Sequence, residues 1–101
     1  MNLNKNLIFL GMMGSGKSSI GYLVSKKLNL NFFDIDRLIE KNEEMTISNI
    51  FKERGEINFR KLEEKITLKT LKSKNSVIAL GGGGFVNEKI RNEIIKNHLS
   101  F

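Results

Sequence analysis

The chain has 101 residues, 40% hydrophobic and 28% charged, with no cysteine and no proline. That length holds one domain with a modest core, since folding at this size buries only about 60 to 65% of the unfolded surface, and the balance of apolar and charged residues excludes a disordered chain. No apolar run is long enough to span a bilayer, and the lack of cysteine excludes disulfides and thiolate metal sites, which leaves a cytoplasmic location as the expectation.

A net charge of +6 raises nucleic acid as a partner. The lysines are scattered, however, with no dense basic run and no aromatics interleaved for base stacking. A lysine-solvated surface accounts for the charge, so neither nucleic acid nor a membrane is expected as a partner.

Leu7, Ile8, Phe9 and Leu10 form a short apolar run that predicts a strand over about 6–10, buried on both faces of a parallel sheet. Gly11 to Ser18 follow at once and read GMMGSGKS, a phosphate-cradling loop in which two glycines separated by four residues precede a lysine and a hydroxyl. Ile20, Val24 and Leu28, with Leu23 beside them, make the stripe of a helix over about 17–28. In the order strand, loop, helix, Gly14 and Gly16 let backbone amides turn toward phosphate oxygens, and the helix N-terminus adds positive charge. Lys17 reaches the terminal phosphates of a nucleoside triphosphate, the Ser18 hydroxyl ligates the bridging Mg2+, and Ser15 and Ser19 add donors.

A second strand over about 31–35 ends in Phe33, Asp34, Ile35 and Asp36, and a helix is expected from near Asp36. A spacing of two puts both carboxylates on one face of an extended segment. The simpler explanation is a solvated strand end with Asp36 as helix cap. Beside a phosphate loop, one carboxylate serving the metal and the other the substrate is the stronger reading.

Thr46 is placed to cap a helix carrying Ile47, Ile50 and Phe51 inward, with Gly55 ending it as a left-handed cap and Asn58 opening the next. That next helix shows Phe59, Leu62 and Ile66 on one stripe, leaves Leu68 and Leu71 off it, and breaks at 73–75. Arg60 and Glu63 lie three apart on it. They read equally as a surface ion pair or as a carboxylate clamp in which Glu63 orients Arg60 between apolar walls of Phe51 and Phe59.

Val77 to Leu80 form a third apolar run and give way to four glycines, Gly81 to Gly84, which let a ligand lie against bare backbone or serve as a hinge. Asn87 opens a last helix with Ile90 and Ile94 inward. Strands and helices alternate throughout. The expected fold class is therefore α/β, three layers with a parallel sheet between helices, and a site at the strands' C-terminal ends.

Taken together, GMMGSGKSSIG, FDID, GEINFRKLEE and VIALGGG resemble, in order and spacing, the motifs of the shikimate kinase family, which belongs to the nucleoside monophosphate kinase group of P-loop proteins. The resemblance implies transfer of the γ-phosphoryl group of ATP to the 3-hydroxyl of shikimate, on the route to chorismate and the aromatic amino acids, by a monomeric enzyme using Mg2+. It implies that Ser18 binds the metal, that Asp34 supports it through water, and that Asp36 holds the shikimate hydroxyls and is the candidate base. By the same resemblance Arg60 binds the shikimate carboxylate, Gly82 offers a backbone amide with Gly81 and Gly83 beside it, and Phe51 and Phe59 enclose the ring. Gly84 is additional to the usual three.

The resemblance runs from about Leu7 to Phe101. Family members continue into two further strands, a lid bearing an arginine, a second shikimate-binding arginine and the adenine pocket, with strand order 2-3-1-4-5. The final HLSF looks like the approach to the fourth strand. Residues 1–101 are thus expected to form a partial domain cut after about three strands, with β-edge exposure along the first strand and little kinase activity alone. Two other readings stand beside the enzyme: a noncatalytic nucleotide-binding remnant or module, and another small-molecule kinase of the same group.

Overall fold

A computed structural model describes residues 6–11, 17–81 and 87–100, without the side chains of residues 10, 17–20, 97, 99 and 100. Its elements in chain order are β1 (Leu7–Gly11), α1 (Lys17–Leu28), β2 (Asn31–Asp34), α2 (Ile35–Glu43), α3 (Ile47–Thr70), β3 (Ser76–Gly81), α4 (Glu88–Asn97) and β4 (Leu99–Ser100). The four strands form one sheet in the order β2-β3-β1-β4, with every pairing parallel. This is the expected three-layer α/β arrangement. The fourth strand goes beyond the expected three: two residues pair with Leu7 and Ile8 and cover the start of β1.

Alternation along the strands divides the sheet's two faces. On one face Ile8, Ile78 and Leu80 join Ile35 and Ile39 of α2, Ile50 and Phe59 of α3, Leu71, and Ile90 and Ile94 of α4 in a single buried cluster. Phe32 points to the other face, where it meets α1. There the packing departs from the expected apolar stripe. The buried positions of α1 are Gly21 and Ser25, whereas Leu23 is exposed. A Cβ on Gly21 would stand 3.0 Å from the Phe32 ring, so a small residue is what lets this helix approach the sheet.

Helix boundaries follow local chemistry. The Asp34 carboxylate accepts from the backbone N–H of Asp36 at 3.1 Å and of Arg37 at 3.4 Å, so α2 starts at Ile35 with Asp34, not Asp36, as its cap. Thr46 caps α3 through Asn49, and Asn87 caps α4 through Ile90, both as expected. Gly55 behaves differently from expectation. Its φ of 81° and ψ of 167° are not the left-handed helical pair, and the chain kinks there inside one long α3 without ending it. Asn58 is accordingly no cap; its side-chain amide donates to the Arg54 carbonyl at 2.7 Å. Leu68 and Leu71, off the apolar stripe in sequence, both join the core, Leu71 as the first residue past the helix.

Candidate functional site

Parallel register brings the chemically suggestive strand ends to one edge of the sheet. Gly11, which opens the phosphate-loop motif, pairs with Gly81, which opens the glycine run, and Asp34 pairs with Ala79 one strand further over. Gly14, Ser15 and Gly16 of the loop motif and Gly82, Gly83 and Gly84 of the glycine run lie outside the described residues. Lys17, Ser18 and Ser19 form the first turn of α1, with their side chains outside the description. Their amides therefore stand at a helix N-terminus, the position that favours an anion.

The Asp pair is arranged differently from the extended segment read in the sequence. Because the chain turns helical at Ile35, Asp34 remains on β2 while Asp36 sits in the first turn of α2. The two carboxylates still sense each other. Burial raises the Asp36 carboxyl from an ordinary 3.8 to about 6, helped by the negative charges of Asp34, Glu63 and Glu40, while Arg60 pulls it down. A carboxyl poised near neutrality in a polar recess is a candidate proton acceptor.

Across from it, α3 assembles the clamp that the sequence left open. Phe51 and Phe59 stack with centroids 4.5 Å apart, and the Arg60 guanidinium lies over both rings, at 5.8 and 5.3 Å. Arg60 Nη1 donates to Glu63 Oε1 at 2.9 Å, and Nε lies 3.8 Å from Glu56. The Glu63 side chain is only 4% exposed, which rules out an ordinary surface ion pair. Its burial fixes one edge of the guanidinium. A guanidinium has five donors in a planar fork, so donors beyond Nη1 can grip a carboxylate.

Magnesium needs hard oxygen donors and keeps several waters, usually taking one or two protein oxygens beside the phosphates. Asp34 fits that mode as a carboxylate at the strand end nearest α2, and among the described residues no cluster of three acidic or histidine side chains offers an all-protein cage. The chemistry of the donor set is thus that of a metal shared with phosphate.

Two polar residues at or near this architecture carried no motif. Glu40, one helical turn after Asp36, sends Oε2 to the backbone N–H of Ile47 at 2.8 Å and so satisfies the first amide of α3. Its spacing of four from Asp36 was the one signal available. Asn6, wholly buried at the other end of β1, bridges the α3–β3 connection and had no sequence signal at all.

Comparison with known proteins agrees with this geometry. The shikimate kinase family model matches residues 13–101. Among curated relatives, shikimate kinase of Bartonella henselae is 44% identical over 97 residues, which is 96% of this chain and 46% of that protein. That of Bacillus subtilis is 45% identical over 96 residues, 94% of this chain and 52% of that protein. The chain thus spans about half the length of the curated relatives it matches. In three dimensions it superimposes on the crystal structure of shikimate kinase from Aquifex aeolicus with a TM-score of 0.87 at 37% identity, covering 94% of this chain and 56% of that one. It superimposes on the Acinetobacter baumannii enzyme in complex with shikimate with a TM-score of 0.90 at 30% identity, covering 95% of this chain and 54% of that one. A parallel β2-β3-β1-β4 sheet, a loop motif running into α1 and a family match over residues 13–101 place this chain in the shikimate kinase family.

Proposed function

We propose that this chain carries the phosphate-binding and acceptor-binding parts of a kinase that transfers the γ-phosphoryl group of ATP to the 3-hydroxyl of shikimate. The observation that carries the reading is the Arg60 guanidinium, stacked over Phe51 and Phe59, anchored by buried Glu63 and set within electrostatic reach of Asp36. A cation beside an apolar wall, with a carboxylate opposite, suits a small ring that bears a carboxylate on one side and hydroxyls on the other.

In this proposal Arg60 binds the shikimate carboxylate, Phe51 and Phe59 line the ring, and Gly81, Gly82 and Gly83 offer backbone to it. Asp36 accepts hydrogen bonds from the hydroxyls and takes the proton of the attacking one. Because its carboxyl titrates near 6, it is mostly ionised at neutral pH yet basic enough to accept that proton. Gly14, Ser15, Gly16, Lys17, Ser18 and Ser19 hold the nucleotide. Ser18, and Asp34 through water, would hold Mg2+, which neutralises charge on the transferred phosphate. Transfer through a loose transition state rewards positioning and charge neutralisation more than proton removal, so Lys17→Ala is expected to be more damaging than loss of the base alone.

Binding of shikimate by calorimetry is the deciding measurement, because it reports the acceptor pocket by itself. Arg60→Met is expected to weaken it roughly 30- to 100-fold, the scale of one charge-assisted bidentate contact. A chain with no detectable shikimate affinity, or an Arg60→Met variant that binds as tightly as the parent, would overturn the assignment.

A further inference from the structure

We propose that Glu40 is a positioning residue for the acceptor side of this site: its carboxylate clasps the N-terminus of α3 to α2 and thereby sets Phe51, Phe59 and Arg60 opposite Asp36. The inference rests on the acceptor reading above but adds a residue to which that reading gives no role.

The first turn of α3 has more amides than its own cap can satisfy. Thr46 Oγ1 takes the N–H of Asn49 at 3.2 Å, and the N–H of Ile47 is met instead by Glu40 Oε2, seven residues back in another helix. A carboxylate there also faces the positive end of the α3 dipole. The main chain of the same residue closes α2, since the Glu40 carbonyl accepts from Glu44 and, at 3.2 Å, from Met45. One residue thus ends one helix and begins the next, which fixes the angle between them.

That angle matters because of the kink at Gly55. Phe51 lies about one turn beyond Ile47 and moves with the helix end that Glu40 holds. Phe59 and Arg60 lie past the kink, where the α-helical hydrogen-bond ladder no longer dictates their orientation. They are registered to the first half of α3 by the Phe51–Phe59 stack and by Arg60 lying over both rings. The chain of contacts therefore runs from Glu40 through Ile47 and Phe51 to Phe59 and Arg60. Glu40 also lies one turn from Asp36 on α2, and its charge acts on Asp36 together with Asp34 from β2 and with Glu63 and Arg60 from α3.

Two substitutions separate the clasp from the charge. Glu40→Gln keeps an oxygen that accepts from Ile47, and Glu40→Ala removes both. In the 101-residue chain, Glu40→Ala is expected to weaken shikimate binding about tenfold and to speed amide exchange at Ile47 by a similar factor. Glu40→Gln is expected to restore most of both. Carboxyl NMR should show the Asp36 titration midpoint lower in both variants than in the parent. Equal shikimate affinity and Ile47 exchange in parent and Glu40→Ala, or a Glu40→Gln variant as impaired as Glu40→Ala, would overturn the positioning role. If the parent itself fails to bind shikimate, the acceptor reading falls, and the Ile47 exchange and Asp36 titration still decide whether Glu40 clasps the helices.

Discussion

The two ends of the parallel sheet handle buried polarity in opposite ways. At the N-terminal end of β1, Asn6 is wholly buried, and its side chain donates to the carbonyls of Leu71 at 3.3 Å and Ser73 at 2.7 Å while accepting from the Ser76 N–H at 3.1 Å. Its own N–H donates to His98 Nδ1 at 3.2 Å. This neutral residue is matched to its neighbours, and it stitches β1 to the α3–β3 connection and to the segment before β4. At the other end, Asp36 shares a recess with Asp34, Glu63 and Glu40 against the single opposing charge of Arg60, and its carboxyl is raised in consequence. One end is arranged for stability. The other holds mismatched charge that only a ligand would balance, which is the pattern expected where binding or proton transfer takes place.

The contrast can be tested, beginning with the largest effect. Asn6→Ala leaves the Ser76 N–H and the Leu71 and Ser73 carbonyls short of a partner in a buried setting, and is expected to cost about 2–3 kcal/mol by denaturant titration. The Asp36 carboxyl should titrate as before in that variant. A shifted midpoint would mean that the two ends are coupled and the division is wrong.

Next comes Gly55→Ala. Its φ of 81° with an extended ψ is a conformation that side chains resist, and open space around it offers no contact in return, so a loss of about 1–2 kcal/mol is expected. If the kink serves the recess, shikimate affinity should fall along with stability. A variant that is equally stable would show that the kink costs nothing.

Asp36→Asn should do the opposite and stabilise the fold. A carboxyl whose folded pKa of about 6 exceeds its ordinary 3.8 opposes folding when ionised, so the penalty is absent below 3.8, grows as pH rises toward 6, and is complete above it. At pH 7 the variant is expected to gain about 1 kcal/mol, a value already reduced for solvent screening of a partly exposed group, with the advantage vanishing in acid. An unfolding series across pH would contradict the picture if the parent proved the more stable at pH 7.

The smallest effect belongs to Arg54→Gln. Arg54 pairs with Glu43 at the rim of the α2–α3 junction, where solvent competes for both charges. Its thermal midpoint should match the parent's within scatter. A large drop would move this rim pair into the same class as the Asn6 bridge.

Much of this was legible in the sequence where a single local rule decides the outcome. The apolar runs at 7–10 and 77–80 became parallel strands, Thr46 and Asn87 became caps, and the strand order of the described sheet is the one the family resemblance implied. The reading failed where two local rules compete. Asp34 and Asp36 can be an extended pair or a cap with its helix, and the cap won because Asp34 satisfies two amides that the start of a helix would otherwise leave open. Gly55 suits both a helix end and a kink, and only tertiary packing on each side distinguishes them. Gly21, Glu40 and Asn6 were illegible for another reason. Each acts on a partner in a different element, at a sequence separation that no periodicity spans.

The pairing of Gly11 with Gly81 makes the hydrophobic core a ruler. Ile8 lies opposite Ile78 in the same ladder, three residues below those glycines, and both side chains are fully buried. Sliding β1 by one residue against β3 would turn Ile8 to the other face and move one loop about 3.3 Å relative to its neighbour. A reacting pair of atoms tolerates misplacement of far less than that. The side chains that set the height at which the two loops leave the sheet therefore lie about 10 Å from any chemistry, and substitutions among them should change reaction geometry before they change the fold.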